Sequence, residues 1–345
     1  MRLWRQLADQ EASDLLDDKK AIKFWVKTYY FVILNNMFTY YAMAYAEDIM
    51  DLVIHKGSYA KAKQIYEEKM HTKKHFVFDL DETIGSFSEL DVLWRGIQEH
   101  MRRQNISLTM TDQDLFCAVL DLYPEFLRHG ILTIFEFLYA KKIQGHCGNV
   151  LLYTNNQCPG SWTSMIVQYI ENCGRLHGLF DQIIHAFKID GIRIETNRSS
   201  HAKSFCDLIK CTVLPKTAEF CFVDNTYFPK MVHGRVFYIQ PKSYFHALSL
   251  GEIVGRFVRS DLGQRMVDCG SKPVTWWETE LIELCIRGGC NIEPMIKTRA
   301  EHEMDIQVSK KMMYHIKEFF YLSLRRPKTR KISGRFLYNS SKKKR

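Results

Sequence analysis

His75-Phe76-Val77-Phe78-Asp79-Leu80-Asp81-Glu82-Thr83-Ile84-Gly85 is the stretch whose reading decides the fold. Phe76, Val77 and Phe78 form an apolar run too short for a helix and closed downstream by Gly85, which predicts a buried central strand of a parallel sheet. The pattern Asp-x-Asp-x-Thr, Asp79 to Thr83, then falls at the strand's C-terminal end, where open α/β sheets bind ligands. Two carboxylates one residue apart on chain that has just left a strand can be aimed at a single point. One can hold a divalent cation and attack an electrophile while the other transfers a proton.

Further apolar runs follow in the same style. Val150–Tyr153 reads as a second strand ending in Thr154-Asn155-Asn156, Gln182–Phe187 as a third, Glu219–Val223 as a fourth closing on Asp224-Asn225, and Val236–Ile239 as a fifth. Between the first two strands, Leu90–Arg103 and Asp112–Leu122 have helical apolar spacing, which predicts a mostly helical insertion over about residues 86–122. Leu122–Leu138 reads as a turn through Arg128-His129-Gly130 into a long helix.

VFDLDETIG, residues 77 to 85, resembles the first motif of the haloacid dehalogenase (HAD) superfamily of phosphohydrolases. Its DLDET wording is most similar to the branch that dephosphorylates the tail of RNA polymerase II and related phosphoproteins. That resemblance implies an α/β fold with a Rossmann-like parallel sheet, a Mg²⁺ cofactor and an aspartyl-phosphate intermediate on Asp79, with Asp81 as acid and base. It also implies a phosphate-binding hydroxyl at the second strand, which is Thr154, and a lysine before the fourth motif. Lys203 lies 21 residues ahead of Asp224 and fits; Lys188 and Lys210 compete. The metal would take Asp79, the Asp81 carbonyl and an oxygen of Asp224 or Asn225, while Thr83 and Asn155 are placed with the substrate. Arg128-His129-Gly130 departs from the branch's Arg-Pro-Gly at the middle residue. The helical insertion departs from that branch's β insertion.

The chain has 345 residues, enough for one large domain with extensions, and its 46% hydrophobic and 25% charged content is that of a globular protein. The expected division is a helical N-terminal extension over 1–70, a phosphatase domain over 71–250, a C-terminal helical extension over 251–324 and a basic tail over 325–345, with two or three helices over residues 241–324. Net charge is +9, but ten Lys/Arg and no Asp/Glu lie from Leu322 onward, leaving 38 basic against 39 acidic residues elsewhere. The basic character belongs to the tail, whose readings are nuclear import, contact with nucleic acid or acidic partners, or simple solubilisation. Thr28–Ala46 runs nineteen residues without a charge, but Asn35, Asn36 and five tyrosines make it a packed helix rather than a membrane span. Trp25, Trp276 and Trp277 read as core. Ten cysteines without a Cys-x-x-Cys predict free thiols in a reducing cytoplasmic or nuclear setting.

The expected activity is removal of phosphate from phosphoserine or phosphothreonine in a protein. Thr154-Asn155-Asn156 and the basic tail keep open a phosphatase of nucleotides or polynucleotide 3′ ends. A phosphotransferase could share the site, and a non-catalytic binding protein could share the fold.

Overall fold

The structure, a computed structural model, describes residues 52–55, 73–158, 161–269, 273–290 and 296–321. Its strands are β1 (Leu52–His55), β2 (Lys74–Phe78), β3 (Cys147–Tyr153), β4 (Phe180–Ile184), β5 (Lys188–Ile189), β6 (Ile192–Arg193), β7 (Glu219–Val223) and β8 (Val236–Pro241). Its helices are α1 (Ser88–Gln104), α2 (Asp112–Asp121), α3 (Ile131–Ile143), α4 (Trp162–Gly174), α5 (Phe205–Thr212), α6 (Leu250–Arg259), α7 (Asp261–Cys269), α8 (Val274–Arg287) and α9 (Arg299–Tyr321).

Six strands make one sheet in the order β1-β8-β7-β2-β3-β4, parallel throughout except for β1, and β5 and β6 form a separate antiparallel pair. The chain builds outward from β2 to β3 and β4, then returns to lay β7 and β8 on the other flank. The order therefore reverses at β2, and a crevice opens beyond the strand ends at such a switch point. This is an α/β architecture compatible with a Rossmann-like fold.

Side-chain alternation along the central strands explains why both faces are covered. Phe76 and Phe78 point into the larger core with Val150, Leu152, Cys221 and Val223, beneath α1, α3 and α9. Val77 points the other way, with Leu151, Phe220, Phe222, Phe205 and Leu208 under α5. All five residues of β2 are buried, and each fully buried aromatic there contributes about 1.5–3 kcal/mol. Phe319 of α9 meets Phe76 edge-on at 5.5 Å and Phe237 at 5.6 Å, closing the sheet's β8 side.

Four findings differ from the sequence reading. Leu52–His55 is a strand where a helical extension was expected; its β-branched residues pair antiparallel with β8, from Leu52 opposite Pro241 to His55 opposite Tyr238. The third strand runs Phe180–Ile184, starting and stopping earlier, because the β5–β6 turn takes up the chain after it. Residues 241–324 hold four helices among the described residues rather than the expected two or three, since Ser260 and Pro273 break the run. Trp277 is core, but Trp276 is 36% exposed. The segments 1–51 and 322–345, including Thr28–Ala46, Trp25 and the basic tail, lie outside the described residues. Among those described, no helix is long and apolar enough to cross a membrane. All nine cysteines described are free thiols.

His75 shows how tightly β2 and β3 are joined. Its Nδ1 accepts the Asn149 N–H at 3.0 Å, and a Cβ on Gly148 would meet its ring at 2.8 Å. Burial holds its pKa down at about 4, with Asp181 opposing and Lys73 adding to the shift. The folded state thus prefers the neutral ring: the stability is complete above the unfolded value of 6.5 and is lost as pH falls toward 4. Between pH 7 and 4.5 the wild type should lose about 2–3 kcal/mol more than His75→Asn, which keeps an acceptor but does not titrate. Urea unfolding at both pH values measures this, and equal losses in the two proteins would refute it.

Candidate active site

The register of the sheet brings the acids together. Phe78 pairs with Val223, so Asp79 and Asp224 leave adjacent strands at the same level. Each next residue still continues the ladder: Asp79 N donates to Val223 O at 2.9 Å, Thr154 N to Ile184 O at 3.0 Å and Asp224 N to Ile239 O at 3.2 Å. Those bonds fix three side chains at one edge before any side-chain contact is made.

Lys203 completes the cluster from the segment just ahead of α5. Its Nζ lies 2.5 Å from Asp79 Oδ1 and 2.6 Å from Asp224 Oδ2, and its side chain is 1% exposed. The rings of Tyr153, Phe228 and Phe222 surround the ammonium at 5.4–5.9 Å. Burial pulls the lysine pKa down, but Asp224 and Asp79 outweigh it and hold the group charged. Two carboxylates share this one cation, so one is under-compensated: burial lifts Asp224 to about 7 against the pull of Lys203. Lys188 and Lys210, the alternatives to Lys203, are exposed.

Asp81 stands beside the cluster with its Oδ2 accepting from Asn156 Nδ2 at 2.9 Å. Burial raises its pKa to about 6, with Asn156 opposing and Asp79 adding to the rise. A carboxyl held there can give and take a proton near neutral pH. Asp79, Asp81, Lys203, Asp224, Asn155 and Asn225 are among the residues lining a cavity of about 220 Å³.

The loop carrying the two acids is clamped from below. Leu80 and Ile84 are fully buried. A Cβ on Gly85 would come within 2.4 Å of both Phe126 O and the Phe87 ring, so only glycine allows that approach. Arg128, 1% exposed, donates Nε to Thr83 O at 2.6 Å and Nη2 to Glu82 O at 2.5 Å and Lys242 O at 2.8 Å. Burial depresses its pKa to about 10. Arg128→Met leaves these carbonyls without a donor and should cost about 3 kcal/mol. Chemical denaturation reads this directly, and a loss below about 1 kcal/mol would mean the clamp is dispensable.

Several expected residues take other parts. Thr83 is fully buried, not a substrate contact: its hydroxyl donates to Asn225 Oδ1 at 2.8 Å and accepts the Asn225 N–H at 3.1 Å. Asn225 Nδ2 donates to Glu82 Oε2 and Ser243 Oγ, each at 3.0 Å, so its amide holds the acid loop to β7. Asp224 beside it accepts from Lys203 at Oδ2 and from the Thr226 N–H at Oδ1, 2.8 Å away. Thr154 is 1% exposed, and its hydroxyl accepts the Asn156 N–H at 2.9 Å, forming a turn that aims Asn156 at Asp81. Asn155 lines the cavity while its Oδ1 accepts from Arg198 at 2.6 Å.

Asn156 and Arg198 were not singled out in the sequence. Arg198 is fully buried and also reaches Thr154 O at 2.9 Å, His185 O at 2.7 Å and His201 O at 2.9 Å. It ties the approach to Lys203 onto the ends of β3 and β4. Nothing in Arg-Ser-Ser-His-Ala-Lys distinguishes this arginine from a solvated one, whereas Asn156 follows the Thr154-Asn155 pair directly, as a polar side chain at the same strand end.

The donors at the cavity are hard oxygens. Asp79 offers a second carboxylate oxygen that accepts no hydrogen bond among the described residues. No group of three or more His, Cys, Asp or Glu side chains there can hold a metal by itself. A cation would thus depend on two carboxylates, a backbone carbonyl, water and substrate, which is the coordination Mg²⁺ favours. The residues fit that ion. No protein-family model, curated protein or solved structure matches the chain.

Proposed function

We propose that this chain is a phosphomonoesterase of the HAD superfamily, acting on phosphoserine or phosphothreonine in proteins through an aspartyl-phosphate. The observation that carries the reading is the Lys203 ammonium held between Asp79 and Asp224 at adjacent strand tips, with the proton-exchanging Asp81 beside them.

The free oxygen of Asp79 attacks phosphorus as the bond from phosphorus to the leaving oxygen breaks. Asp81 delivers its proton to that oxygen, so the alcohol departs neutral. Asp81, now a carboxylate, takes a proton from water, whose oxygen attacks the phosphoryl group and releases Asp79. Lys203 orients Asp79 through its hydrogen bond to Oδ1, and its ammonium offsets negative charge at the phosphoryl group. Asp79, Asp224 and the Asp81 carbonyl would hold Mg²⁺, which neutralises the phosphate so that two anions can meet. Asn156 orients Asp81, and Arg198 positions Lys203.

Phosphate release from a small aryl phosphate tests the reading. Activity should need Mg²⁺, disappear with EDTA and return when excess Mg²⁺ is added. Absence of hydrolysis of any phosphomonoester at millimolar Mg²⁺ would remove the proposal.

A further inference from the structure

A second cavity, about 440 Å³, lies on the other side of Asp81 and shares with the first only Asp81 and Asn156. A third, about 190 Å³, meets it along Asp81, Phe87, Ser88 and Glu89. If the phosphoryl group sits against Asp79 and Lys203, its leaving oxygen must face Asp81, and the rest of the substrate must lie beyond. The larger cavity borders Asp81, is joined by the third, and is within the size range of ligand sites.

Besides Asp81 and the loop after β3, with Asn156, Gln157 and Cys158, its walls come from two further parts of the chain. One is the start of α1, with Phe87, Glu89, Asp91 and Arg95. The other is the turn after α8, with Gly288, Gly289 and Cys290, so the C-terminal helices help build it. The turn lies close on α1: a Cβ on Gly288 would meet Val92 Cγ1 at 2.5 Å.

The charge there is one-sided. Arg95 is the only lysine or arginine among the described residues lining this cavity, and both its Nε (3.1 Å) and Nη2 (2.7 Å) are engaged by Asp91 Oδ2. Glu89 takes a hydrogen bond with His246 at 3.1 Å, which holds its carboxyl below the usual range despite burial. A nucleotide or polynucleotide end would bring further phosphates against Glu89 and Asp91, where the one guanidinium on the walls is already held by Asp91, and like charges so placed oppose binding. An extended peptide brings amide groups for the polar walls, and its Lys or Arg side chains would meet the carboxylates.

Resting on the phosphatase reading above, we propose that the recess between α1 and the turn after α8 receives the leaving-group side of a phosphoserine or phosphothreonine peptide, and that it selects lysine or arginine next to the phosphorylated residue.

The experiment compares kcat/KM of the full chain, with Mg²⁺, on paired phosphoserine peptides with Lys/Arg or Glu/Asp flanks, on a 3′-phosphorylated oligonucleotide and on an aryl phosphate. The basic peptide should exceed the acidic one by about tenfold and the oligonucleotide by more. In Glu89→Gln, with each rate normalised to that variant's own aryl phosphate rate, the basic-over-acidic ratio should fall by about threefold to fivefold. Aryl phosphate turnover with equal rates on the two peptides, a preference for the oligonucleotide, or a ratio unmoved by Glu89→Gln overturns this inference alone. No turnover of any substrate, aryl phosphate included, overturns the phosphatase reading and this inference with it.

Discussion

Asp79→Asn should reduce phosphate release from an aryl phosphate by at least about 10³-fold, a barrier increase of about 4 kcal/mol. The amide oxygen can still accept from Lys203, and one of the two negative charges sharing that ammonium disappears. Folding stability should consequently shift by no more than about 1 kcal/mol in either direction. The substitution thus separates chemistry from architecture: the amide keeps the shape of the side chain and cannot attack phosphorus. Single-turnover phosphate release together with urea unfolding reads both quantities. A variant that hydrolyses the ester within about tenfold of the wild-type rate would exclude Asp79 as the nucleophile and with it the covalent route.

Lys203→Met carries the second large effect, and this one falls on both quantities. The thioether has almost the length of the lysine stem, so packing against Tyr153, Phe222 and Phe228 persists while the charge is lost. Asp224, fully buried, then faces Asp79 with no cation from the protein between them. Removing one partner of a buried ion pair leaves an uncompensated charge, which costs about 3–5 kcal/mol. Activity should drop with it, because the nucleophile loses its orienting contact. Lys203→Arg keeps the charge but brings a planar fork to a place shaped for a point charge, and should recover stability better than turnover. If Lys203→Met unfolds at the wild-type urea concentration, the clustered acids are not relying on this lysine.

The outcome at Thr83 and Asn225 shows what spacing cannot convey. Both lie beside the acids in the sequence, and both look available to substrate or metal. In the fold they bond to each other across the gap between the β2 loop and the end of β7, 142 residues apart in the chain. Their polar atoms are spent on holding the acid loop in place. Arg128 has the same character, since its value lies in three carbonyls, two in the acid loop and one just after β8, that only the fold brings together.

The sequence by itself determined the central strands β2, β3, β7 and β8 and the acids at their tips. A run such as Phe76-Val77-Phe78 followed by Asp79 encodes its own burial and its own end, because alternation and polarity act over a few residues. Tertiary structure alone decided the partners: which lysine reaches Asp79, that Arg198 stands behind it, that Leu52–His55 closes the sheet's edge, and that the turn after α8 borders Asp81. Those contacts join points tens to hundreds of residues apart. They exist only because parallel strands in register carry distant segments to one edge of the sheet, and no local pattern records where a distant side chain will arrive.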